Sequence, residues 1–263
     1  MRAKGAWALC AGVLGGSVIT VLLIPSVFGP GSPWHSPFGG RVDPGIASPS
    51  PSPSPSPSPS PSAAVQRRHA SLGDAPASPE AREFADWVAD TGDNAGSNFV
   101  IVDKKFARLY VFDANAGLRA TTMVLLGAAV GDDTVPGIGT RPIAQVKLQE
   151  RTTPAGRFMG EPGHNALGRD VVWVDYDAAV SMHRVVTAQA GEHRLQRLAT
   201  AAVDNKRISY GCINVPVAFY DTYIRPTFAA RRAPIYILPE VKSIRQVFGA
   251  YPVSVANAPK HLN

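Results

Sequence analysis

Residues 99–113 read Phe99-Val100-Ile101-Val102-Asp103-Lys104-Lys105-Phe106-Ala107-Arg108-Leu109-Tyr110-Val111-Phe112-Asp113. The two outer thirds, apolar up to a closing Asp, are rich in β-branched and aromatic residues, too short for helices, and separated by a polar turn; they predict a pair of strands. Working outward, Asp113-Ala114-Asn115-Ala116-Gly117 makes a second turn, and 119–130 supplies more β-prone residues. The stretches 171–175 and 180–183 also read as strands, and Ala233-Pro234-Ile235-Tyr236-Ile237-Leu238 as a closing one. One helix is expected around 195–203. A meander of short strands with few short helices predicts a mainly-β sandwich or partly closed barrel over residues 97–240.

The flanks differ in kind. Ser78-Pro79-Glu80 is a helix start, with a serine cap, proline in the first turn and an acid at the positive end of the dipole. Phe84, Trp87 and Val88 share one face of the short helix predicted within 78–96, which should pack on the domain. Residues 29–77 are a Pro/Ser-rich spacer, with strict Ser-Pro alternation over 48–62. Alternating proline excludes helix and central strand and favours an extended polyproline rod, on the order of 45 Å long. Arg2 and Lys4 precede an apolar stretch ended by Pro25, so 1–28 read as a signal peptide or retained signal-anchor. An exported, periplasmic or cell-envelope location, anchored to the cytoplasmic membrane through that segment, is the expectation. Residues 241–263 form a C-terminal extension without a readable motif.

The chain has 263 residues, 24 of them proline, and a formal charge of +6. No run of lysines and arginines and no nucleic-acid motif accompanies that charge, so nucleic acid is not an expected partner. There are two cysteines, Cys10 in the N-terminal apolar segment and Cys212. A disulfide framework is therefore excluded, and a lone thiol in an exported domain asks for a reason. Cys212 has no second cysteine at ligand spacing, so a metal site is not expected.

Around it runs Arg207-Ile208-Ser209-Tyr210-Gly211-Cys212-Ile213-Asn214-Val215-Pro216. Gly211 permits a positive φ or close backbone approach, which suits a nucleophile whose amides face a developing oxyanion. Ser209 and Asn214 offer short polar side chains to pin the loop or touch substrate. A cysteine nucleophile needs a base, and histidine is the usual one. His183 closes a strand; His193 lies in a polar segment beside Glu192. From the residues both stay open, with rigid placement favouring His183.

Ser209-Tyr210-Gly211-Cys212-Ile213-Asn214 resembles the Ser/Thr-His-Gly-Cys-hydrophobic-Asn/Arg motif of the L,D-transpeptidase (YkuD-type) catalytic domain. Thr153-Pro154-Ala155-Gly156-Arg157-Phe158 is similar to that family's Thr-Pro-x-Gly-x-Phe segment, and Val180-Ser181-Met182-His183 to the strand ending in its catalytic histidine. The resemblance covers roughly 97–240 in the family's order. It departs at Tyr210, where the family often has His, and in the 29-residue step from His183 to Cys212, which is longer than usual. The extra length reads as an insertion carrying the 195–203 helix.

The resemblance implies an L,D-transpeptidase-like β-sandwich or partly closed barrel, with Cys212 as nucleophile and His183 as general base. Ser209, Tyr210 and Gly211 would shape the oxyanion side. Asn214 and Arg207 would meet substrate, Arg207 through a carboxylate. Peptidoglycan stem peptides would be the acyl donors; an amine of a second stem peptide or a wall-attached protein would be the acceptor. Hydrolysis by water on the same scaffold, and a non-catalytic wall-binding module, are the alternatives. No cofactor is implied.

Overall fold

A computed structural model describes residues 67–229 and 231–254. The signal or anchor segment and nearly all of the spacer lie outside the described residues, as does the end of the C-terminal extension. Among the described residues no helix is long and apolar enough to cross a membrane.

The fold is mainly β. Among the described residues ten strands, β1 (Phe99–Asp103), β2 (Arg108–Phe112), β3 (Leu118–Met123), β4 (Leu126–Gly127), β5 (Gly156–His164), β6 (Asp170–Asp175), β7 (Val180–Arg184), β8 (Arg207–Ser209), β9 (Ile213–Val215) and β10 (Ala233–Leu238), are joined by turns and short helices. Eight of them form one mixed sheet in the order β3-β2-β1-β10-β5-β6-β7-β9, and β4 pairs with β8. Residue 125, just past the β3 edge, exchanges two backbone hydrogen bonds with Asn214 on the β9 edge, at 3.0 and 2.8 Å. That bridge nearly closes the sheet and removes an open edge.

The run at 99–102 is apolar without alternation because both of its faces are covered. Val100 and Val102 enter an inner core with Leu109, Val111, Val172, Met182, Ile213 and Ile235. Phe99 and Ile101 enter an outer core with Tyr110, Phe112 and Tyr236, capped by Phe84 and Val88 of helix α1 (Pro79–Thr91). Phe84 packs its ring 5.2 Å from that of Tyr236.

Helix α1 begins as its sequence requires: Ser78 Oγ accepts from Ala81 N–H and donates to the buried Asp103 carboxylate at 2.5 Å. The insertion holds α2 (Arg194–Ala199), shorter than the helix expected over 195–203, because Lys206 Nζ ties off the carbonyls of Arg197 and Thr200.

Three features correct or extend the sequence reading. The 233–238 strand is last in the sequence yet central in the sheet, between β1 and β5 and parallel to β1; all six of its residues are buried, which an edge strand's would not be. A helical run unread in the sequence follows Pro216: α3 (Val217–Phe219), a π turn (Tyr220–Ile224) and α4 (Arg225–Ala229). The extension contains α5 (Ile244–Phe248), opened by a Ser243–Gln246 capping box.

Candidate active site

Cys212 lies between β8 and β9, at the seam where the sheet closes. Its loop is held from several sides. Ser209 Oγ donates to the Cys212 carbonyl at 2.6 Å and accepts from Gly211 N–H at 3.1 Å. Thr153 Oγ1 donates to the Gly211 carbonyl at 2.9 Å and accepts from Gly127 N–H at 2.9 Å, stitching β4 to the loop. Asn214 Nδ2 donates to the Cys212 carbonyl at 3.2 Å. Gly211 has φ +124°, and a Cβ there would stand 2.7 Å from the Thr152 carbonyl oxygen. Glycine is required on both counts.

The register of β7 against β9 pairs Met182 with Ile213 and His183 with Asn214. One step back sets Cys212 alongside Ser181, and the Cys212 thiol is 3.7 Å from Ser181 Oγ and 3.7 Å from the Ala179 carbonyl oxygen. Ser181 and His183 are two apart on a strand and project from the same face. The thiol and the imidazole are thus served by neighbouring positions on one face of one strand pair.

His183 is buried, and its Nδ1 is 2.7 Å from the Arg184 carbonyl oxygen. A carbonyl only accepts, so Nδ1 carries the proton and Nε2 is left with the lone pair that a base needs. Arg184 is itself pinned by Asp221 and Asp170, which steadies that carbonyl. Their hydrogen bonds hold its guanidinium further above its ordinary pKa, the Asp221 bond most of all. His183 also lines a cavity of about 210 Å³ with Asn165, Arg169, Asp170, Val185 and Val217. His193, by contrast, is exposed, with a left-handed φ of +49° at the start of α2.

The remaining expected site residues are engaged inside the protein. Asn214 is fully buried, its Oδ1 accepting from Arg194 Nη1 at 2.6 Å, so it braces the loop from within and does not reach outward to a substrate. Arg207 is neither exposed nor unpaired. It binds Glu240 and donates to the Lys104 carbonyl at 3.1 Å, so its charge is already neutralised. The Gly211 amide, expected to face an oxyanion, donates to Ser209 Oγ. Tyr210 is half-buried with the Arg151 guanidinium 3.8 Å above its ring, a cation–π contact that brings positive charge to a position where tyrosine has none.

A buried ionic cluster supports the loop. Lys104 Nζ, fully buried, donates to Asp132 Oδ1 at 2.8 Å and to the Thr153 carbonyl at 2.9 Å. Glu240 joins Lys104 to Arg207. Burial pushes the Asp132 carboxyl up, but Lys104 and the amides of Lys242 and Glu240 outweigh it and leave its pKa at about 2. Among the described residues no three His, Cys, Asp or Glu side chains gather as a metal site.

Ser181, Thr153, Arg151 and Arg194 were not singled out in the sequence. Strand alternation from His183 points to Ser181, and Thr153 opens the Thr-Pro-x-Gly-x-Phe segment. Nothing local marks the two arginines, whose roles come from distant packing.

No family model matches the chain, and no curated protein matches it. Solved structures do. The chain is similar to L,D-transpeptidase structures. An Enterococcus faecium L,D-transpeptidase shares 15% identity over 54% of this chain and 50% of that one, with a TM-score of 0.29. An L,D-transpeptidase from Mycobacterium smegmatis shares 15% over 54% and 58%, with a TM-score of 0.30. The helical cell shape determining protein Pgp2 from Campylobacter jejuni shares 14% over 60% and 55%, with a TM-score of 0.35. The chain spans about half the length of these structures. What the site can do follows from its own residues.

Proposed function

We propose that the protein is a peptidoglycan L,D-transpeptidase acting on the outer side of the cytoplasmic membrane. The observation that carries this reading is the Cys212 thiol, held at the seam on the same face of β7 as His183, whose Nδ1 proton is committed to the Arg184 carbonyl. His183 Nε2 takes the thiol proton, and the thiolate adds to the stem-peptide carbonyl that precedes a D-residue. The Tyr210–Arg151 pair brings positive charge to the tetrahedral oxyanion. Protonated His183 then returns its proton to the departing amine, leaving a thioester on Cys212. An acceptor amine of a second stem peptide or a wall-attached protein adds to the thioester, gives up a proton to His183, and releases the thiol.

The test is to incubate the full-length chain with tetrapeptide muropeptides and separate the products by mass. Crosslinked dimers with loss of the terminal D-residue are expected. Tripeptides alone would make the protein a hydrolase on the same chemistry, and unchanged substrate would leave it a binding module.

A further inference from the structure

We infer that Arg194 is a positioning residue for the nucleophile loop, acting through Asn214, and that the 186–206 insertion is part of the active site. The inference rests on Cys212 being the nucleophile. Arg194 opens α2, and its side chain is 15% exposed. Its Nε donates to Glu192 Oε2 at 2.6 Å and its Nη1 to Asn214 Oδ1 at 2.6 Å. Arginine has donors only, so the atom facing it must be the amide oxygen. The amide nitrogen is then turned to the Cys212 carbonyl, which only accepts, at 3.2 Å. Flipped, the amide would set donor against donor at Arg194 and acceptor against acceptor at Cys212. The guanidinium therefore decides the orientation of a fully buried side chain.

The consequence reaches the thiol. The Cys212 carbonyl accepts from Ser209 on one side and Asn214 on the other, which fixes the peptide plane that leaves the nucleophile. Asn214 is also the register partner of His183, so one clamp steadies both strands of the nucleophile–base pair. Glu192 balances the guanidinium charge, which makes the contribution geometric. The insertion keeps Arg194 in place through its own bonds, Arg197 donating to the carbonyls of Glu192 at 2.8 Å and Asn205 at 2.7 Å.

The test uses the full-length chain and two readouts. One is the rate of iodoacetamide alkylation at Cys212 across pH, followed by the mass of its peptide; the other is kcat and KM with a muropeptide. Arg194→Ala is expected to slow alkylation and lower kcat about tenfold or more, with KM little changed, since small misplacements of reacting groups cost rate. Arg194→Lys, which still donates to Oδ1, should recover most of the loss. Asn214→Asp keeps the acceptor for Arg194 but loses the donor to Cys212, and should match Arg194→Ala even if that variant folds poorly. The Arg194→Ala/Asn214→Ala double variant should be no worse than Asn214→Ala. Alkylation and kcat within twofold of wild type in Arg194→Ala, or losses that multiply in the double variant, would overturn the inference. If the wild type turns over no muropeptide while the alkylation pattern holds, the transpeptidase reading fails and the role of Arg194 stands.

Discussion

At the scale of residues, the site is a matter of donors and acceptors that leave little freedom. Ser209 uses its hydroxyl twice, Thr153 twice, and Asn214 uses both ends of its amide. His183 follows the same logic, its tautomer dictated by the Arg184 carbonyl. Gly211→Ala introduces a Cβ 2.7 Å from the Thr152 carbonyl oxygen at a φ of +124°. It should cost about 2–4 kcal/mol in chemical denaturation and remove activity together with stability. His183→Ala removes the base, so iodoacetamide alkylation of Cys212 at a fixed neutral pH should slow about tenfold or more. An unchanged rate would take His183 out of the mechanism.

At the scale of elements, what was legible in the sequence depended on how local its cause was. The 99–103 and 109–113 stretches announced strands because short apolar runs bounded by turns have few other uses, and Ser78-Pro79-Glu80 announced α1 by capping chemistry alone. The central place of the 233–238 strand was not legible, because a parallel partner 135 residues away leaves no local mark. The helical run after Pro216 did leave one: Tyr220, Ile224 and Phe228 recur every four residues and all enter the inner core. The positive φ of Gly211 and the pinning of the loop by Ser209 and Asn214 were readable from their residue types. Arg207 was not, since its partner Glu240 comes from beyond β10, and the buried Lys104 looked like part of a polar turn.

Ser78 joins two elements, capping α1 and donating to Asp103 on β1. Ser78→Ala should therefore destabilise by about 2–3 kcal/mol, more than a solvent-exposed cap, because it also strips a buried carboxylate of a donor. A loss of only a few tenths in urea denaturation would mean the Asp103 contact contributes nothing.

At the scale of the whole molecule, the Cys212 loop stands on a buried ionic cluster that ties the end of β1, the 131–133 turn, Thr153 and the segment after β10 together. Asp132 is its centre, with a folded-state pKa of about 2 against an ordinary 3.8. A depressed carboxyl pKa means that its contribution is fully present above about pH 4 and is lost as pH falls toward 2, and its size is about 2 kcal/mol. Acid unfolding should steepen in that window, and Asp132→Asn should flatten it while lowering stability at pH 7. A variant with an unaltered acid limb would place the acid sensitivity elsewhere.

The central claim is that Cys212 becomes acylated. The most direct measurement is the intact mass of the full-length chain quenched in acid seconds after mixing with a tetrapeptide muropeptide, with the modified peptide then mapped. The account predicts a mass increase equal to the muropeptide minus one molecule of the D-amino acid released from its end, carried by the Cys212 peptide, released by hydroxylamine, and absent in Cys212→Ala. Turnover by Cys212→Ala equal to wild type, or an adduct on any other residue, would contradict it.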